Sequence, residues 1–157
     1  MKTKEAHRIV QISPDLRTII LGKYNGIQCG GCDTIESGAA VKELLAWAIR
    51  FGAETIIFEG ILYSASLTFC KDIQRLAKAA GFEYIIVWVN RNVDKCLNAI
   101  YERNGGKRFN VKGIVDRARA VERVAKAMES HDARVVQFDP DNDGDPYTTV
   151  KRRCSEE

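Results

Sequence analysis

The sequence predicts an α/β fold, a three-layer sandwich on a mostly parallel sheet, and three observations carry that prediction. Short β-branched, apolar runs alternate with helix-length amphipathic stripes along the chain. The stripes close at Gly52, Gly81 and Asn104-Gly105-Gly106, so helix and strand are separately punctuated. One run, Tyr84-Ile85-Ile86-Val87-Trp88-Val89, is apolar at every position, as in a strand covered on both faces. Strands joined through helices pair in parallel, with the helices packed on the two faces of the sheet.

The elements follow in order. Arg8 to Ile12 reads as a short strand, and Ser13-Pro14-Asp15 as a turn in which proline fixes φ. Thr18 to Tyr24 is a buried strand. A polar, glycine-rich loop, Asn25 to Gly38, holds Cys29-Gly30-Gly31-Cys32-Asp33-Thr34. Val41, Leu44, Leu45, Ala48 and Ile49 share one helical stripe. Thr55 to Phe58 is a strand ending in Glu59-Gly60, and Phe69, Ile73, Leu76, Ala77 and Ala80 stripe the next helix. After the Tyr84 to Val89 strand, Val93, Leu97, Ile100 and Tyr101 stripe a third helix. A basic loop, Lys107 to Lys112, leads into a fourth helix with Ile114, Ala118, Val121, Ala125 and Met128 on one face. Ala133 to Phe138 is the last strand, and the tail 139–157 is acidic and then basic.

A chain of 157 residues fits one domain over its whole length. With 45% apolar and 29% charged residues, disorder and fibre are excluded. No apolar run approaches the roughly 20 residues of a membrane helix, and Met1 to Arg8 leads into only a short apolar stretch. No membrane partner and no secretory signal are expected. The formal net charge of +3 does not by itself predict nucleic-acid binding. Five cysteines, an odd number with three isolated members, point to a reducing compartment, with cytoplasm as the expected location.

In parallel sheets ligands lie at the carboxyl ends of strands. Four places qualify: the loop after Tyr24, Glu59-Gly60, Asn90-Arg91-Asn92, and Asp139 onward. A strand-end carboxylate such as Glu59 can hold Mg²⁺ through water or take a proton from a hydroxyl, and Gly60 lets a substrate approach the backbone. The alternative is a solvated strand-end acid. Residues 102–126 hold eight Lys or Arg against three Asp or Glu. Within them Arg103, Lys107 and Arg108 suit a phosphate-closing lid, whereas Arg119 and Arg123 read as a solvated helical face.

Cys29-Gly30-Gly31-Cys32 lacks the second ligand pair of a zinc site, since Cys70, Cys96, Cys154, His7 and His131 are isolated. A thioredoxin-like couple needs a cis-proline on a later strand, and the only prolines are Pro14, Pro140 and Pro146. Asp139, Asp141, Asp143 and Gly144 open like a calcium loop, but Val150 stands where the bidentate Glu belongs. That stretch reads as a solvated acidic turn.

Taken together, Leu21-Gly22-Lys23-Tyr24, the Cys29 to Thr34 string and Phe58-Glu59-Gly60 resemble a family of small P-loop kinase-like proteins of phages and bacteria. These are related to nucleoside and polynucleotide kinases and to the phage hydroxymethyluracil-DNA kinases. The similarity runs from about Ile19 to Phe138. It implies that Glu59 and Asp33 are catalytic, with Glu59 associated with Mg²⁺ through water. It implies Tyr24, Thr34 and Gly60 on the substrate side, and Arg103, Lys107, Arg108 and Lys112 as phosphate contacts of a lid around 104–113. ATP and Mg²⁺ would be the cofactors. A nucleoside, a nucleotide or a modified base in DNA would accept the phosphate.

The chain departs from that family at one central feature. GxxxxGK[ST], whose backbone N–H groups and Lys cradle the β- and γ-phosphates, is absent; Tyr24 and Arg108 follow the Gly22-Lys23 and Gly106-Lys107 pairs. Asn90-Arg91-Asn92 also replaces the family's Asp-Thr-Pro. The expectation is a kinase-like sandwich without its first strand, phosphate loop and helix. A loop-bearing fragment or a second copy would cover the sheet edge left open. A non-catalytic nucleotide- or nucleic-acid-binding protein is the alternative, ahead of a thiol redox protein.

Overall fold

In the computed structural model, strand β2 (Thr18–Leu21) alternates half-buried and fully buried residues. Ile19 and Leu21 are wholly withdrawn from solvent, as the period of two in a strand dictates. The structure describes residues 10–12, 17–22, 31–145, 148–149 and 152–153. The chain divides into two units, Met1–Phe82 and Glu83–Glu157.

In the first unit, β1 (Val10–Ile12) runs antiparallel to β2, and β3 (Thr55–Phe58) runs parallel to it, in the order β1-β2-β3. Thr18 pairs with Thr55 and Leu21 with Phe58, so β2 and β3 end level with each other. The crossover between them contains helix α1 (Gly38–Phe51). Ser37 caps it by accepting from the Ala40 N–H at 3.2 Å, and Gly52 closes it in the left-handed region at φ 92°. Val41, Leu44, Leu45 and Ala48 are the face it buries, and α1 packs against β2 and α3. After β3 come a single helical turn, α2 (Ile61–Ser64), and helix α3 (Leu67–Ala79), which buries Phe69, Cys70 and Ile73. Lys42 on α1 pairs with Asp72 on α3 at 2.9 Å, and Tyr63 and Phe69 set their rings 5.0 Å apart.

In the second unit, β4 (Ile85–Val89) and β5 (Arg134–Phe138) pair in parallel, Ile85 with Arg134 through Val89 with Phe138. The Asn90 N–H donates to the Phe138 carbonyl at 2.8 Å and extends the ladder by one rung. Between the strands lie α4 (Val93–Arg103), capped by Asn92, and α5 (Val111–Glu129), capped by Asn110. Helix α5 packs on β4 and β5, and its buried residues are Val124, Ala125 and Met128.

The mixed α/β character and the parallel β2–β3 and β4–β5 pairings agree with the sequence reading. Several boundaries move. The strand expected to reach Tyr24 ends at Leu21, where Gly22 adopts φ 142°. Tyr24, Cys29 and the expected turn at 13–15 lie outside the described residues. Helix α5 begins at Val111, because the Asn110 side chain accepts from the Gly113 N–H at 2.9 Å. The lid loop is correspondingly shorter, and Lys112 belongs to the helix. Two-sided cover of the strands is not what the described residues show: Ile57 on β3 is 48% exposed, and Val87 and Val89 on β4 are exposed. In β3 and β4 the more exposed residues alternate with half-buried ones, so one face is left the more open.

Leu21→Ala should destabilise the chain by about 2–5 kcal/mol, because it opens a cavity at a fully buried position. Ile57→Ala, on the open face, should stay within about 1 kcal/mol. Urea unfolding followed by circular dichroism separates the two.

Candidate functional site

Because β2 and β3 are parallel and in register, the chain leaves both at the same end. The segment Gly31–Thr34 returns to this end and supplies donors to the carbonyls of Leu21 and Glu59. The Cys32 N–H donates to the Glu59 carbonyl at 2.7 Å, and the Cys32 thiol donates to the Leu21 carbonyl at 3.4 Å. One residue therefore ties the ends of both strands.

Cys32 is fully buried. Burial, and next the negative charge of Asp33, push its thiol up to about 11. A thiol held protonated in this way serves as a donor and not as a redox nucleophile, which counts against the redox alternative.

Gly31 sits beneath Glu59. Its φ is 48°, and a Cβ placed on it would lie 2.7 Å from Glu59 Cγ and 2.8 Å from the Glu59 carbonyl oxygen. Only a residue without a side chain lets Glu59 cross there. Asp33 follows in a short 3₁₀ turn, Cys32–Thr34. Its Oδ2 accepts from the Ile61 N–H at 2.8 Å and its Oδ1 from the Leu62 N–H at 2.9 Å. The carboxylate expected to meet a substrate thus caps α2, the turn immediately after Glu59-Gly60. Gly60 is needed for closeness, since a Cβ there would stand 3.0 Å from Asp33 Oδ1 and 3.3 Å from Cys32 Cβ. The Thr34 hydroxyl donates to the Gly31 carbonyl at 3.0 Å. Glu59 and Thr34 are exposed, and Asp33 is half-buried.

The structure thus gathers Asp33, Thr34, Glu59 and Gly60 in the first unit and leaves the Glu59 carboxylate open to solvent. Sequence reasoning missed Tyr63. Its ring lies against Gly60, with Cδ2 3.2 Å from the Cβ position, and its hydroxyl donates to the Ile35 carbonyl at 3.2 Å. The available signal was Ser66, a cap just before α3 that leaves room for a separate turn after Gly60.

The expected lid residues lie in the second unit. Arg103 is the last residue of α4, Lys107 and Arg108 occupy the connection, and Lys112 is in the first turn of α5. All four are exposed, and among the described residues none pairs with a carboxylate. Gly105 and Gly106, at φ 62° and 75°, turn the chain after α4, and the Gly106 N–H donates to the Tyr101 carbonyl at 2.9 Å.

Asn90-Arg91-Asn92 also has local work. Asn92 Oδ1 accepts from the Asp94 and Lys95 N–H groups, while Arg91 and Lys95 approach Asp141 at 4.0 and 3.0 Å. The stretch resembling a calcium loop is a self-bonded turn. Asp139 accepts from the Asp141 N–H and Asn142 Nδ2, and Asp143 accepts from the Asp139 N–H and Arg153. Among the described residues, no cluster of three or more His, Cys, Asp or Glu side chains could hold a metal ion. No helix there is long and apolar enough to cross a membrane.

Comparison with known proteins gives these arrangements a family. A family model described as 5-hmdU DNA kinase matches residues 1–140. The 5-hmdU DNA kinase of Pseudomonas phage M6 is 31% identical over 110 residues, 67% of this chain and 57% of the relative. That of Pseudomonas phage PaMx11 is 28% identical over 95 residues, 60% of this chain and 47% of the relative. The 5-hmdU DNA kinase 1 of Salmonella phage ViI is 26% identical over 113 residues, 69% of this chain and 49% of the relative. The chain spans about half the length of the curated relatives it matches. No solved structure matches it. The chain belongs to the 5-hmdU DNA kinase family.

Two outcomes follow from the geometry of the tie. Gly31→Ala should cost about 2 kcal/mol or more in urea unfolding, from positive φ plus the collision with Glu59. The Cys32 thiol ionises at higher pH when folded than when unfolded, so the unfolded chain loses its proton first. Stability should therefore hold below the ordinary thiol value of 9.0 and fall as pH rises to about 11. Cys32→Ala should flatten that decline, as read by unfolding midpoints across the pH series.

Proposed function

From this membership we propose that the chain is the acceptor-side part of a kinase that phosphorylates a hydroxyl of a modified base in DNA. The observation that carries the reading is Glu59: an exposed carboxylate at the end of a parallel strand, its backbone pinned by Cys32. In this reading Glu59 takes the proton of the attacking hydroxyl. Asp33 holds the Glu59-Gly60 turn through the α2 N–H groups, and Thr34 and Tyr24 line the acceptor side. Arg103, Lys107, Arg108 and Lys112 offset phosphate charge as a lid.

The two implied cofactors fare differently against the residues present. Mg²⁺ is commonly held by one or two carboxylates together with phosphates and water, and the open Glu59 carboxylate fits that role through water. Bound there, the ion would neutralise charge on a phosphoryl group. ATP does not fit these residues by themselves, because no GxxxxGK[ST] occurs among the 157. We place the phosphate loop outside them, on a fragment that adds a strand to an open sheet edge; a second copy would cover that edge without bringing a loop. β3 is the edge of its three-stranded sheet and has an exposed face. This reading makes 1–157 part of one three-layer, P-loop kinase-like domain working in the host cytoplasm. The missing loop also favours a second reading, a family member that binds DNA without transferring phosphate.

The test is transfer of labelled phosphate from ATP to a 5-hydroxymethyluracil-containing duplex, with a loop-bearing fragment added. Transfer is expected. Glu59→Gln should lower kcat by about 10²–10⁴-fold, whereas Asp33→Asn should cost far less, because one acceptor oxygen remains. No transfer with any loop-bearing fragment would leave the binding reading.

A further inference from the structure

The solvent face of α5 carries a line of cations that, apart from Lys112, the proposed chemistry at Glu59 does not use. At 100° per residue, Lys112, Asp116, Arg119, Arg123 and Lys126 fall within about 40° of one line along the helix. All five are exposed, and the buried residues Val124, Ala125 and Met128 occupy the opposite side. The line is about 21 Å long at 1.5 Å per residue. Asp116 is its one acid. Lys126 pairs with Glu122 at 2.6 Å, while Arg119 and Arg123 pair with no carboxylate among the described residues. Residues 102–126 carry eight bases against three acids in a chain of net charge +3, so the rest of the chain is net acidic. The positive charge is concentrated here.

We propose that this face of α5 binds the phosphate backbone of duplex DNA, with Arg119 and Arg123 as its central contacts. The proposal rests on the DNA-directed reading above and assigns that reading's polyanion to a surface. Charge complementarity is the first argument. Over about 21 Å a duplex presents roughly six phosphates per strand, enough for every cation on the line. Two unpaired guanidiniums one helical turn apart can each take a phosphate bidentately without first breaking an ion pair. The second argument selects duplex over single strand. Single-strand binders stack bases on aromatic side chains, and none of the five residues on this line is aromatic. The position chemistry agrees, since the C5 substituent of a pyrimidine projects into the major groove of an intact duplex.

Fluorescence anisotropy with a labelled 20-base-pair duplex, titrated at a series of salt concentrations, tests the assignment on the full chain without ATP or Mg²⁺. The wild type should bind, with affinity falling steeply as salt rises. R119A/R123A should weaken binding roughly tenfold or more at 50 mM salt and flatten the log–log salt slope by about 2, close to 0.9 per lost phosphate contact. K71A/K78A, which removes equal charge from α3, should leave the slope unchanged. Four results would overturn the proposal: no duplex binding by the wild type, equal slopes for wild type and R119A/R123A, an equal loss in K71A/K78A, or tighter binding of the single strand. Failure of the kinase reading looks different. A chain that binds duplex through Arg119 and Arg123 yet transfers no phosphate keeps this assignment and refutes that one.

Discussion

Two parallel strands that end level bring their last carbonyls to one place, and a backbone acceptor withdrawn from water must find a donor. Cys32 resolves this for β2 and β3 with two donors from one residue, its N–H to Glu59 and its thiol to Leu21. The constraint propagates outward from that tie. Holding the Glu59 carbonyl fixes the direction in which the chain leaves β3. A Cβ at position 31 would then lie 2.7 Å from Glu59 Cγ, so glycine is required there. The next residue, Asp33, is thereby delivered to the start of α2, where a negative charge meets two unpaired N–H groups and the positive end of the turn. The exposure of the Glu59 carboxylate is the last consequence: its main chain is held, and its side chain is not.

A cysteine suits that position because of its ordinary properties. It is small, it tolerates complete burial, and its S–H can donate weakly without demanding several partners in return. A serine hydroxyl would bring two more acceptor lone pairs into the same buried space and leave them unsatisfied. The neighbouring acids oppose ionisation of the thiol, so the environment that makes Cys32 a stable donor also makes it a poor nucleophile. The cysteine spacing that suggests redox chemistry in the sequence thus has a structural origin at its second member.

Local features of the fold were legible in the sequence. Period 3.6 placed the buried residues of α1 and all those of α3 and α5 but Cys70 and Val124, the glycines marked where α1 and α4 stop, and Thr55–Phe58 matched its strand residue for residue. The place of Glu59-Gly60 at the end of β3 was legible because strand ends can be read from hydrophobic runs. What stayed hidden depends on partners distant in sequence. Nothing local to Asp33 says that its carboxylate meets N–H groups 28 and 29 residues away. The turn α2 is too short to show a period. The start of α5 moved because one Asn side chain capped it. Arg119 and Arg123 look like any solvated pair until the helix sets them in line with Lys112 and shows them unpaired.

The described cations of the two units differ in how they are engaged. A lone carboxylate can accept a proton, but it repels the phosphates of the substrate whose hydroxyl it would activate, by about 1 kcal/mol at 4 Å even in water. Chemistry on DNA at Glu59, as proposed, therefore calls for cations that offset those phosphates, and several described cations of the first unit are already engaged. There Lys42 and Arg75 are both engaged by Asp72, and Arg17 by Glu54. In the second unit Arg103, Lys107, Arg108, Lys112, Arg119 and Arg123 pair with no carboxylate among the described residues. Cations packed against Glu59 would lower the basicity on which proton abstraction depends, whereas cations that held the polyanion away from the carboxylate would leave that basicity intact.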